Sequence, residues 1–169
     1  MEKLENTKPE KLLIAISALG NHGKTLSATR LIELLISHCE GWLYDSRSII
    51  LKKEQLAILQ RNGKPEIAVI TIGDGVDRRF VNWYNIVASI PTIKIIVGCC
   101  RTKHGTFAYL KKFARLHQYP MIVTHPYFQE MPILPKGSPM ANYWNTIFGS
   151  VEKYWGCFFC FMVFCIFAL

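Results

Sequence analysis

The stretch KLLIAISALGNHGKTLSATRLIELL, residues Lys11–Leu35, decides the fold that we expect for this chain. It opens with the apolar run LLIAI, passes through a glycine-containing turn, and continues into a segment in which Leu26, Ile32 and Leu35 can share one helical face. The pattern predicts a strand, a loop and a helix. Because such a loop points backbone N–H groups at one spot, where the helix dipole also favours negative charge, it predicts a phosphate site.

Three residues at the start of this helix suit a phosphate ligand. Lys24 would reach the outer phosphates as a point charge, Thr25 would place a hydroxyl on Mg²⁺, and Gly23 would let the backbone approach closely. The alternative interpretation is a Gly-Lys-Thr turn that merely starts a helix.

The segment from Ala18 to Thr25 resembles the phosphate-binding loop of the P-loop NTPases, G-x-x-x-x-G-K-[ST], with Ala18 at the position of the first glycine. It also resembles a degraded form of the K-G-G-x-G-K-T loop of the ParA and MinD ATPases, in which Leu19 replaces the signature lysine and Asn21 the second glycine. The resemblance implies Mg²⁺-ATP as the ligand. The binding residues that it implies are Leu19, Gly20, Asn21, His22, Gly23, Lys24, Thr25 and Leu26.

A second predicted strand, EIAVITIGDG at Glu66–Gly75, is rich in β-branched residues and closes on Asp74. Open parallel sheets bind ligands outside the carboxyl ends of their strands, so Asp74 would face the predicted loop. It resembles the Walker B aspartate, which implies that Asp74 and Thr25 hold Mg²⁺, with Asp77 as a weaker alternate. An Asp-Gly surface turn is the competing interpretation of Asp74.

A basic loop, Arg101–Thr106, follows another predicted buried strand, Ile93–Cys100. Cations at the carboxyl end of a strand are placed to meet phosphate or an acidic substrate, whereas a solvated basic loop is the alternative. We therefore predict Lys24, Asp74 and Arg101 as the catalytic residues.

The remaining segments complete an alternation of strands and helices. We expect a strand GWLYD that ends at Asp45, where ParA-like ATPases carry an acidic switch residue, then helices over Ile49–Gln60 and Arg78–Ser89. A helix from Phe107 and a last strand, MIVTH, follow. The order predicts an α/β fold, a doubly wound, mostly parallel sheet with helices on both faces.

Composition bears on the setting and the partners. The 169 residues are 50% hydrophobic and 19% charged, and the formal net charge of +8 favours nucleotides, acidic or nucleic-acid partners and anionic membrane surfaces. The six cysteines follow no zinc spacing and the N-terminus MEKLENTKPEK is polar, so we expect a cytoplasmic location.

We expect four regions along the chain. Residues 1–10 would form a short mobile leader, 11–126 the nucleotide-binding domain, and 127–154 an irregular wrapping segment or linker. The tail at 155–169, WGCFFCFMVFCIFAL, has no charge but is shorter than the roughly twenty residues of a membrane span. It would contact a membrane, a partner protein or its own domain, or it results from a truncated reading frame.

The function that we expect is that of a small P-loop NTPase, which binds Mg²⁺-ATP and hydrolyses it slowly or in response to a partner. One alternative is a nucleotide or small-molecule kinase, with its acceptor at Arg101–Lys103 and at Arg78 or Arg79. Another is a non-catalytic protein that binds nucleotide and docks through its apolar tail.

Overall fold

A seven-stranded sheet is the central element of the protein in the computed structural model, which describes residues 11–20, 23–102 and 105–124. The strands are β1 (Leu12–Ser17), β2 (Trp42–Tyr44), β3 (Ile49–Ile50), β4 (Gln55–Arg61), β5 (Lys64–Ile70), β6 (Ile95–Cys100) and β7 (Met121–Thr124). The helices are α1 (Lys24–His38), α2 (Arg78–Ala88) and α3 (Gly105–Leu116). The leader, the wrapping segment and the apolar tail expected from the sequence lie outside the described residues.

The strand order is β2-β4-β5-β6-β1-β7, and β3 pairs with β4 beside β2. Strands β5, β6, β1 and β7 pair in parallel, whereas β4 is antiparallel to β2, β3 and β5. All strands except β4 therefore run in the same direction. The prediction of an α/β protein with a mostly parallel sheet is confirmed, and the carboxyl ends of β1, β5 and β6 share one edge of the sheet.

The helix expected over Ile49–Gln60 is wrong, because this segment forms β3 and β4. The four consecutive apolar residues LAIL at 56–59 are all fully buried, as is typical of a strand that is covered on both faces. The hairpin turn after β4 consists of Asn62 and Gly63, with positive φ angles of 54° and 73°. An Asn-Gly pair with this backbone is the usual connection of a two-residue β-hairpin, and this signal outweighs the helical spacing.

The three helices pack on the sheet through two separate sets of buried residues. α2 and α3 contribute their buried side chains to a cluster that includes Leu13 and Ala15 of β1, together with alternate residues of β4, β5 and β6. α1 contacts β1, β5 and β6, but its buried residues lie outside that cluster. The buried apolar residues of α1 are Ala28, Leu31, Ile32 and Leu35.

Leu26 corrects the helical face that we expected for α1. Ile32 and Leu35 are buried as expected, but the side chain of Leu26 is 61% exposed. Ala28 and Leu31 take its place in the buried face, since they lie one helical turn before Ile32 and Leu35. Within the described part of the chain, none of the helices is both long and apolar enough to cross a bilayer.

The packing of Tyr84 against Gly98 gives a test of the core. The Tyr84 side chain is fully buried, its hydroxyl has no hydrogen-bond partner among the described residues, and a Cβ added to Gly98 would overlap that hydroxyl. We expect Gly98→Ala to destabilise the protein by about 1–3 kcal/mol through overpacking. Tyr84→Phe should be neutral or stabilising, because it removes an unsatisfied buried group, and it should lessen the cost of Gly98→Ala.

Urea unfolding of the two single variants and the double variant measures this coupling. Gly75→Ala is the matched control, because a Cβ at Gly75 would meet no atom within 4 Å and should change stability little. Additive effects of Tyr84→Phe and Gly98→Ala would contradict the predicted contact.

Candidate functional site

The loop between β1 and α1 ends in Gly23, the N-cap of the helix. Gly23 has φ 76° and ψ 5°, a left-handed conformation that glycine adopts without the cost other residues incur. Its carbonyl accepts the first helical hydrogen bond, from the Ser27 N–H at 2.8 Å. This turn makes Lys24 and Thr25 the first two residues of α1, where free N–H groups and the helix dipole favour an anion.

Lys24 is a buried cation, with only 5% of its side chain exposed. Its Nζ donates to the Leu19 carbonyl at 2.9 Å and to Asp74 Oδ1 at 3.2 Å. A buried ammonium is costly unless it is paired and hydrogen-bonded, so these two acceptors account for its position. Leu19 itself contributes its backbone oxygen, and its side chain is exposed.

Thr25 is anchored to the strand that leads to Asp74. Its hydroxyl donates to the carbonyl of Thr71 at 3.2 Å, directly after the end of β5. A hydroxyl that donates one hydrogen bond keeps two lone pairs, which can coordinate a cation. Thr71 had no role in the sequence analysis, where it is one of the β-branched residues of the predicted strand Glu66–Gly75, and no separate sequence signal marks it.

Asp74 lies four residues beyond β5 and pairs with two cations through one oxygen. Asp74 Oδ1 accepts from Lys24 Nζ at 3.2 Å and from Arg101 Nε at 3.1 Å. Burial acts to raise the pKa of Asp74, but the hydrogen bond from Arg101 and the charge of Lys24 outweigh it, so this pKa lies below its usual value. The carboxylate is 60% exposed and therefore accessible to a ligand.

The path of the chain into Asp74 depends on close backbone packing at Gly73. A Cβ at Gly73 would overlap the carbonyl of Cys99 in β6. Only glycine permits this approach, which brings the end of the β5 segment against β6.

Arg101 follows β6 directly and extends between the loop and Asp74. Its backbone N–H donates to Thr106 Oγ1 at 2.9 Å, so the first turn of α3 positions this residue. A Cβ on Gly20 would come within 3.1 Å of Arg101 Nη2, which shows that the guanidinium lies against the loop at Gly20. The role of Thr106 is not predicted from the sequence, where Thr106 is only the last residue of the basic loop Arg101–Thr106.

The side chains of four predicted site residues are thus brought together, those of Lys24, Thr25, Asp74 and Arg101. The backbone of three further predicted residues, Leu19, Gly20 and Gly23, lies beside them. Leu26, predicted to bind the cofactor, belongs to the first turn of α1, with its side chain turned toward solvent. Asn21 and His22 lie outside the described residues, as does Lys103 of the basic loop.

The two other acidic candidates have local structural partners. Asp77 is the N-cap of α2 and accepts the Phe80 N–H at 2.7 Å. Asp45 follows β2 at one end of the sheet, four positions from β1 in the strand order, and pairs with Arg47 Nε at 2.6 Å. The Arg47 hydrogen bond holds the pKa of Asp45 below its usual value.

The candidate site offers side-chain oxygens that could hold Mg²⁺ already bound to phosphates. Among the described residues, no group of three or more His, Cys, Asp or Glu side chains is arranged to hold a metal ion. Mg²⁺ in nucleotide sites takes most of its ligands from phosphate oxygens and water, and needs one or two protein oxygens. Thr25 Oγ1 and the Asp74 carboxylate are such oxygens.

Comparisons with known proteins add little to this geometry. No protein-family model and no curated protein matches the chain. Among solved structures, the crystal structure of APE1195 is similar, with 17% identity, a TM-score of 0.38, and coverage of 88% of this chain and 78% of that one. A likeness of this size carries no argument about function.

The pairing of Asp74 predicts a pH-dependent stability. Asp74→Asn leaves Lys24 without its carboxylate, so we expect the variant to be less stable at pH 7, by on the order of 1 kcal/mol because solvent screens an exposed carboxylate. Since the folded-state pKa of Asp74 is lowered, this stabilisation is fully present above the unfolded pKa of about 3.9. It is lost as the pH falls through the folded pKa.

Urea unfolding of wild type and Asp74→Asn between pH 7 and pH 2.5 measures the difference. Glu40→Gln is the control, since Glu40 is exposed and has no ion pair among the described residues. A stability difference that is as large at pH 2.5 as at pH 7 would contradict the assigned pairing.

Proposed function

We propose that the protein is a small P-loop NTPase that binds Mg²⁺-ATP and hydrolyses it slowly or in response to a partner. The sheet would then be doubly wound, with α1 on one face and α2 and α3 on the other. The observation that carries the proposal is Lys24: a nearly buried cation at a helix N-terminus, directly after a left-handed glycine.

The arrangement of Lys24 favours this proposal over a simple helix start. A lysine in the first turn of a helix opposes the helix dipole, and burial adds a further cost. Asp74 and Leu19 offset these costs. An incoming anion would offset them better, because it would also accept hydrogen bonds from the free N–H groups in the first turn of α1. We infer that Lys24 binds an anion with several charges, such as the outer phosphates of a nucleotide.

In the proposed complex, the chain's own residues bind and orient the phosphates. Lys24 and the loop amides hold the outer phosphate oxygens, and Thr25 and Asp74 hold the metal. Bound Mg²⁺ would neutralise charge that develops on the transferred phosphoryl group. Arg101 lies beside Gly20 and would add a second cation to the same oxygens.

Arg101 must then change partners. In the structure it occupies Asp74 Oδ1, the oxygen that Lys24 also uses. A carboxylate oxygen that already accepts hydrogen bonds from two cations is a poor metal ligand, whereas phosphate attracts both cations away from it. We infer that Arg101 moves from Asp74 to phosphate when Mg²⁺-ATP binds, so that Oδ1 of Asp74 becomes free for the metal.

The first test removes the buried cation. We expect Lys24→Ala to lower the affinity for ATP about ten- to a hundredfold, because a hydrogen bond to a charged group contributes roughly 1.5–3 kcal/mol. Isothermal titration calorimetry with ATP and Mg²⁺ measures it.

Lys64→Ala, a change at an exposed lysine in the β4–β5 hairpin, is the matched control and should leave the affinity unchanged. Wild-type protein that binds no nucleotide at millimolar ATP and Mg²⁺ would overturn the proposal. Normal affinity in the Lys24→Ala variant would overturn the assigned site alone. Tight binding without turnover would favour the non-catalytic alternative.

The second test separates the two roles of Arg101. We expect Arg101→Ala to slow hydrolysis roughly ten- to a hundredfold through the lost charge on phosphate. It should also lower the Mg²⁺ concentration for half-maximal activity, because Asp74 no longer has a competing partner. Turnover measured across a Mg²⁺ series gives both quantities.

Arg79→Ala is the matched control for Arg101→Ala. Arg79 pairs with Glu54 at 2.6 Å, an ion pair that does not involve the site residues. An unchanged rate of hydrolysis in Arg101→Ala would mean that Arg101 belongs to a solvated basic loop and has no role in the reaction. A raised Mg²⁺ requirement would contradict its competition with the metal.

A kinase is the second candidate, favoured by one further feature. An open cavity of about 390 Å³ lies along α2, and its lining includes the side chains of Arg78, Asn82 and Asn85 together with the capping residue Asp77. These donors suit an anionic acceptor. Phosphate passed from ATP to a nucleoside monophosphate rather than to water would support this candidate, and Arg78→Ala should then raise the KM for the acceptor.

A further inference from the structure

A long part of the chain contains basic residues and no acidic ones. From residue 78 to residue 129 the sequence has eight lysines and arginines and no aspartate or glutamate. Within the described residues this part supplies α2, β6, α3 and β7. Positive charge on these elements therefore has no acidic neighbour on the same element.

α3 concentrates that charge on its solvent side. Its buried residues, Thr106, Leu110, Phe113 and Ala114, pack toward the sheet. Lys111, Lys112 and Arg115 are exposed and follow one another over little more than one helical turn. We call these three residues the α3 basic face.

The acidic residues elsewhere do not neutralise this face. In the described part of the chain, no carboxylate forms an ion pair with Lys111, Lys112 or Arg115. Lys111 Nζ lies 4.7 Å from the centre of the Phe107 ring, a contact that leaves its charge in place. The acidic residues that form ion pairs in the described part of the chain all have partners outside α3. They are Glu33, Asp45, Glu54, Glu66 and Asp74.

We propose that the α3 basic face binds the phosphate backbone of a nucleic acid. Lysine and arginine bound to successive phosphates release counterions, which gives affinity without sequence preference. A membrane surface fits less well, because a helix that lies on a bilayer needs a continuous free apolar face. In α3, Leu110 and Phe113 are buried in the core, and Leu116 is the one large apolar side chain of this helix that is exposed. This surface is separate from the proposed nucleotide site, and neither proposal depends on the other.

Arg115 has a structural role as well, since it is in the last turn of α3, where a cation complements the helix dipole. The test therefore uses the two lysines. Lys111→Ala/Lys112→Ala is compared with Lys52→Ala/Lys53→Ala, a second pair of adjacent exposed lysines. Both double variants remove two charges from the same net charge of +8, so only the location differs.

The probe is a fluorescein-labelled 20-base-pair DNA duplex of mixed sequence, and its anisotropy is followed with the full chain at 50–200 mM salt. We expect wild-type binding that weakens with salt. Lys111→Ala/Lys112→Ala should lower the affinity at 50 mM salt about tenfold or more, and reduce the salt slope by roughly 2, which is about 0.9 for each lost phosphate contact. Lys52→Ala/Lys53→Ala should bind as wild type does.

Lys111→Arg/Lys112→Arg should retain binding, because it keeps the charge. All variants should bind ATP as wild type does, which separates this result from the nucleotide site. Equal losses in the two alanine pairs would overturn the proposal in favour of net charge alone, and no binding of wild type would overturn it as well. Sedimentation with vesicles of 30% phosphatidylserine in phosphatidylcholine, without binding to the duplex, would overturn it in favour of a membrane.

Discussion

The ammonium group of Lys24 is almost fully buried and therefore needs an opposite charge and hydrogen-bond acceptors beside it. The arrangement of the residues around Lys24 follows from this need. The Leu19 carbonyl satisfies one N–H of the ammonium and Asp74 supplies the opposite charge. Lys24 and Asp74 are fifty positions apart in the sequence. Only a fold that returns the chain to the same edge of the sheet can join them.

The sheet meets this requirement through the direction of its strands. β1 and β5 are parallel and are separated only by β6, so their carboxyl ends lie roughly 10 Å apart at neighbouring strand spacings of about 4.8 Å. Gly73 brings the chain after β5 against β6, and Arg101 begins where β6 ends. Three consecutive strands of the sheet thus deliver the lysine, the arginine and the carboxylate to one place. The geometry at this edge is the one in which open α/β sheets bind ligands.

The parts of this fold that could be predicted from sequence are those with a strong local signal. The apolar run of β1, the Gly-Lys-Thr start of α1 and the aspartate after β5 each have a pattern that needs no distant partner to interpret. The segment Ile49–Gln60 is predicted as a helix but forms β3 and β4, because apolar residues at short spacing fit both periods and only the Asn-Gly turn that follows decides between them. The bond from Thr25 to Thr71 and the contact of Arg101 with Gly20 depend on how strands are ordered in the sheet, and a sequence pattern does not contain that order.

The sequence gives the amount of charge on the protein, whereas the structure shows what each charged residue contacts. A net charge of +8 ranks partners but gives every cation the same weight. In the structure, Arg47 holds the turn after β2 and Arg79 joins α2 to Glu54, so these cations stabilise local structure. Lys24 and Arg101 converge on one carboxylate, where their charge exceeds that of their partner and an anion would restore the balance. The charge of α3, by contrast, is opposed by none of the carboxylates in the described ion pairs, so its field extends into solvent over about a Debye length, roughly 10 Å at 0.1 M salt. The same residue types therefore serve three different physical purposes, and their burial and partners, rather than their number, distinguish them.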